Sequence, residues 1–65
     1  MNKLKMYREK AGLSQSQLAD ASGVNKRMLQ YYEQGARDLN KTQAGTLLKL
    51  ARALGCQMED LLDDV

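Results

Sequence analysis

The stretch Leu13-Ser14-Gln15-Ser16-Gln17-Leu18-Ala19-Asp20-Ala21-Ser22-Gly23-Val24-Asn25-Lys26-Arg27-Met28-Leu29 contains two helix starts separated by one stop. In Ser14-Gln15-Ser16-Gln17 the serine hydroxyl can accept from the Gln17 amide while the Gln17 side chain reaches back, and Leu13 can pack on Leu18. That combination is a capping box with a hydrophobic staple, and it predicts a helix over about 15 to 22. Gly23 stops it. Asn25 is then a good N-cap, with Val24 and Leu29 at staple positions, for a further helix over about 25 to 34. Two short helices therefore meet at a tight turn. The small Ala19 lets them approach, Gly23 permits a positive φ, and Leu29 fills the angle between them.

Working outward, Leu4, Tyr7 and Ala11 recur at spacings of three and four, one stripe of a helix over about 2 to 11 that Gly12 caps. Downstream, Glu33-Gln34-Gly35 closes the third helix, and Ala36 to Asn40 reads as a loop with Leu39 turned inward. Asn40, with Gln43 three residues on, is a cap signal for a fourth helix over about 41 to 54, where Leu47, Leu50, Ala51 and Leu54 form one stripe with Leu48 beside it. Gly55 ends it, and Met58, Leu61 and Leu62 mark a short fifth helix over about 58 to 63. With no Pro and 5 Gly in 65 residues, propensity favours helix nearly throughout, so the expected class is all-α, one domain over 1–65. A chain this short removes only about 60% of its exposable surface from water, so nearly every Leu must enter one shared core.

Composition also sets bounds on function. The formal charge of +2 is unevenly spread: Glu59, Asp60, Asp63 and Asp64 gather at the carboxyl end, and the residues before them hold 10 basic against 4 acidic side chains. This polarity suggests an anionic partner for one face and an acidic face turned away from it. Ser14, Ser16 and Ser22 have no His to activate them, and the acidic cluster lacks the Gly and spacing of a calcium loop, so catalysis is not expected. Cys56 stands alone and reads as a small buried residue after a helix; no metal site and no cofactor are expected. No run approaches the roughly 18 apolar residues of a membrane span, and the amino end lacks a signal-peptide core, which together predict a cytoplasmic protein.

Leu18-Ala19, Gly23-Val24, Tyr32-Glu33-x-Gly35, Leu47-Leu48-x-Leu50-Ala51-x-x-Leu54-Gly55 and Asp60-Leu61-Leu62 together resemble the Cro/phage-repressor-type (XRE) helix-turn-helix family over nearly the whole chain. The resemblance implies a compact five-helix, lambda-repressor-like domain from a bacterial regulator, with helices 2 and 3 forming the helix-turn-helix at 14–35. It also implies a third helix that enters the DNA major groove, as a homodimer on a palindromic operator. The residues agree independently: with Leu29 and Tyr32 inward, Lys26, Arg27, Gln30, Tyr31 and Gln34 point outward. Arg and Lys can donate to guanine O6 and N7, Gln can pair with adenine, and Tyr can reach a phosphate or stack.

By resemblance, base contacts fall on Asn25, Lys26, Arg27 and Tyr31 and a backbone clamp on Gln15; Ser14, Gln30, Arg37, Asn40 and Lys41 are further candidate backbone contacts, the last three in or beside a loop that could also reach the minor groove. Gln15 sits in a first helical turn, where unpaired N–H groups favour a phosphate. Ser14 could cap that helix or touch the phosphate. Met28 could meet a thymine methyl or pack against the second helix. The loop holding Arg37 and Asn40 is longer than the family's usual one, and Asp38 adds a charge unfavourable to DNA. Arg8 and Glu33 resemble the family's ion pair joining the first helix to the end of the third. Met58, Leu61, Leu62 and Val65 are candidate dimer contacts, or, for the first three, residues that only close the core. The expected activity is that of a transcriptional repressor; the alternative is a protein-interaction module on the same fold, an antitoxin or an anti-repressor adaptor.

Overall fold

The predicted caps Ser14, Gly23, Asn25, Gly35 and Gly55 bound α2, α3 and the end of α4 in the computed structural model, which describes residues 2–62. The order is α1 (Leu4–Lys10), α2 (Gln15–Ser22), α3 (Lys26–Gln34), a 3₁₀ turn (Leu39–Lys41), α4 (Ala44–Leu54) and a closing 3₁₀ turn (Met58–Leu61). The described residues are all-helical, with four α-helices and no strand. Ser14 forms the expected capping box: its Oγ accepts from the Gln17 N–H at 3.1 Å, and the Ser14 N–H donates to Gln17 Oε1 at 2.8 Å. Gly23 caps α2 at φ 74°, in the left-handed region. A Cβ built there would meet nothing within 4 Å, so glycine is required by backbone conformation and not by crowding.

α2 packs on both α3 and α4, α1 lies against α3, and the closing turn packs on α4. The core where they meet holds Leu4, Leu18, Val24, Leu29, Tyr32, Leu39, Leu47, Leu50, Ala51 and Leu61. Tyr7, Leu13, Ala19, Met28, Leu54 and Leu62 pack against it, half-buried. Ala11, expected on the buried stripe, is exposed as the C-cap of α1, because the helix ends one residue before it.

Two segments differ from the sequence expectation. α4 begins at Ala44, and Asn40 does not cap it. The Asp38 carboxylate competes for the chain first: it accepts from the Asn40 N–H at 2.9 Å and closes the 3₁₀ turn that buries Leu39. Thr42 then runs extended, which brings its Oγ1 to the Tyr32 hydroxyl. At the carboxyl end, the expected fifth α-helix is a four-residue 3₁₀ turn, too short to form α-helical bonds beyond its own cap. Its Leu61 is 0% exposed. Leu61 therefore closes the core and is withdrawn as a dimer contact, Leu62 is half-buried on the same cluster, and Val65 lies outside the described residues. Met58 is 38% exposed. Cys56 is half-buried, and burial, followed by the neighbouring Asp60 charge, pushes its thiol up and keeps it protonated.

The ends of the fold are tied to its middle by contacts that no periodicity predicts. Asn2 Oδ1 accepts from the Leu4 N–H at 3.0 Å, while its Nδ2 donates to the Tyr32 carbonyl at 2.9 Å. The Lys3 N–H donates to the Leu61 carbonyl at 3.0 Å. No helix among the described residues is long and apolar enough to cross a membrane.

Candidate nucleic-acid interface

α3 is sided by its sequence. Leu29 and Tyr32, three apart, are buried, so the intervening and preceding positions face solvent: Asn25, Lys26, Arg27, Gln34 and, at 36%, Tyr31 are exposed, while Gln30 is half-buried. No acidic residue lies in its first turn. Neither Lys26 nor Arg27 has an ion-pair partner among the described residues. Asn25 caps the helix, its Oδ1 accepting from the Arg27 N–H at 2.8 Å. Met28 is half-buried against the core, which favours the packing role over a thymine contact.

The turn that aims α3 is fixed by a residue missed in the sequence reading. Ser22 is buried; its Oγ donates to the Leu18 carbonyl at 2.7 Å and accepts from the Val24 N–H at 3.2 Å. One hydroxyl thus ties the last turn of α2 to the first residue after Gly23. A serine before a helix-ending glycine is the only sequence signal for it, and serine has many other uses.

Behind α3 lies the Arg8–Glu33 pair. Arg8 Nε donates to Glu33 Oε2 at 2.7 Å and Nη2 to Oε1 at 3.0 Å, while Nη1 donates to the Leu13 carbonyl at 2.8 Å. The side chains are 12% and 4% exposed. The hydrogen bond to Glu33 outweighs burial and pushes the guanidinium pKa further up, so Arg8 stays charged. This two-pronged geometry joins α1, the α1–α2 loop and the end of α3. It also reaches Gln15, whose Nε2 donates to Glu33 Oε1 at 3.2 Å. The side chain expected at the head of α2 is thus held in a set orientation against the ion pair, with one amide N–H still free. The Ser14 Oγ is used as a cap, and its O–H remains available to donate.

Beyond α3 the chain turns back on itself, the N–H groups of Ala36 and Arg37 both donating to the Tyr31 carbonyl at 2.9 and 3.2 Å. Arg37, Asp38 and Lys41 line one depression of about 230 Å³ with Tyr32 and Thr42. Two cations expected near DNA are therefore brought together. The Asp38 charge that opposed that reading has the structural task of capping the 3₁₀ turn, and Asn40 is exposed within that turn.

A helix-turn-helix family model matches residues 4–61, from the first residue of α1 to the last of the closing turn. The chain belongs to the XRE-type helix-turn-helix family, a family of DNA-binding regulatory domains and not typically of enzymes. No curated protein matches the chain at a significant level.

Proposed function

We propose that this protein is a sequence-specific transcriptional regulator that lays α3 in the major groove of double-stranded DNA. The observation that carries this reading is the outer face of α3, where Asn25, Lys26, Arg27, Gln30 and Tyr31 follow one another with no acid between them. Lys26, Arg27, Asn25 and Tyr31 are assigned to base edges. Gln15, Ser14, Gln30, Arg37, Asn40 and Lys41 are assigned to the phosphate backbone, with α2 supplying unpaired N–H groups at its start. Repression, by occupying DNA that other proteins would need, is the role assigned to the protein.

Binding as a homodimer on a palindrome is part of the same reading. Half-sites read from one side of the duplex lie about 34 Å apart. The longest extent of the described residues is 28 Å, so one copy does not reach both. Met58 and Leu62 border an apolar groove of about 470 Å³ that also takes in Leu48 and Cys56, and these are the surface assigned to the second copy.

Duplex binding measured over a salt series tests the reading. The affinity is expected to fall linearly on a log–log scale, with a slope of about −0.9 per phosphate contacted. A flat response, with no preference among duplexes, would overturn it in favour of a protein-interaction module.

A further inference from the structure

The first turn of α3 directs hydrogen-bond donors outward. A free Asn side chain carries both an acceptor and donors, and paired with adenine it uses the two together. In Asn25 the oxygen is committed: Oδ1 accepts from the Arg27 N–H at 2.8 Å and caps the helix. The amide is planar, so holding its oxygen against the helix leaves the NH₂ group as the part it presents outward. Presenting both atoms to one base would break the cap. Lys26 and Arg27 carry donors and no acceptor, and neither is engaged by a carboxylate among the described residues. Three consecutive exposed residues therefore turn donors outward, the Asn25 oxygen facing the helix it caps. One turn later the character changes, because the Gln30 amide has no intramolecular partner among the described residues and keeps both functions.

The four bases differ in what they return to such a surface. In the major groove guanine shows two acceptors, N7 and O6, and no donor; adenine pairs an acceptor with a donor, cytosine shows a donor, and thymine a single acceptor beside a methyl group. Resting on the assignment of α3 to the major groove, we infer that the operator half-site carries adjacent guanines where the first turn of α3 lies. Adenine and cytosine are rejected there because their amino groups would face unpaired donors. Asn25 is a specificity-determining residue through its nitrogen alone.

Selection of bound duplexes from a randomised DNA pool by the full chain, repeated with Lys26→Ala and Arg27→Ala, identifies the base pairs facing that turn as those whose preference is lost. The expected result is adjacent guanines. Replacing each by 7-deazaguanine, which lacks N7, weakens binding about tenfold, whereas inosine, which keeps N7 and O6, leaves it unchanged. Asn25→Asp, which retains a capping oxygen and puts an acceptor where the amide N–H groups were, melts at or above the wild-type temperature and loses guanine preference at one position. Enrichment of adenine, cytosine or thymine at those positions, or indifference to 7-deazaguanine, overturns the inference while leaving the DNA-binding function intact. An unchanged site preference in Asn25→Asp removes Asn25 from it. Failure to select any duplex overturns both together, and is recognised by the absence of salt-dependent binding.

Discussion

At the scale of single residues, the interface divides into side chains that meet DNA and side chains that aim them. Lys26→Ala or Arg27→Ala is expected to cost about 1 to 3 kcal/mol on the preferred site and to relax its sequence, whereas Gln15→Ala weakens all duplexes alike. Titrations against specific and scrambled duplexes separate the two behaviours. Arg8 acts one step back. Its removal leaves a Glu33 carboxylate only 4% exposed without a cation, with the Gln15 amide as its remaining side-chain partner. Arg8→Ala is therefore expected to destabilise the fold by about 3 kcal/mol. Thermal melting without DNA registers that loss and keeps it distinct from a lost contact.

At the scale of elements, the turn between α2 and α3 sets the angle of the reading helix. Gly23→Ala meets no atom within 4 Å, yet places a Cβ at φ 74°. The expected cost is about 1 kcal/mol, smaller for Gly23→Asn, which tolerates the left-handed region better; denaturant midpoints measure the difference. Ser22→Ala strands the Val24 N–H in a buried position and costs about 1 to 3 kcal/mol. The helices themselves were legible in sequence because capping and glycine signals are local: Ser14 with Gln17, Asn25, Gly23 and Gly55 act within one turn of their own position. The loop after α3 was less legible. In sequence Asn40 reads as the cap of α4 and Asp38 only as a charge; Asp38 is the cap that forms, because it lets Leu39 reach the core and Thr42 reach Tyr32.

At the scale of the whole molecule, a domain of 65 residues has a stability of about 6 kcal/mol at an average of about 0.1 per residue. Leu61→Ala, which empties a fully buried site in the closing turn, costs about 2 to 5 kcal/mol and is expected to leave much of the chain unfolded at 37 °C. Circular dichroism melting tests this, and a cost under 1 kcal/mol would mean that the closing turn is not part of the core. The proposed dimer is met at the same scale: two chains per palindrome are expected by mass on DNA, and Met58→Asp is expected to weaken assembly without lowering the melting temperature of the single domain. From local sequence alone come the all-helical class, the caps of α2 and α3, the two helices at 14–35 and the cationic outer face of α3, because each depends on neighbours within about four residues. Only the tertiary structure decided that Leu61 is core and not interface, that Asp38 is a cap, that Gln15 is tied to Glu33, and that Asn2 ties α1 to the end of α3. Those assignments depend on residues distant in sequence that meet only when the helices pack, and no local pattern encodes which partner a side chain will find.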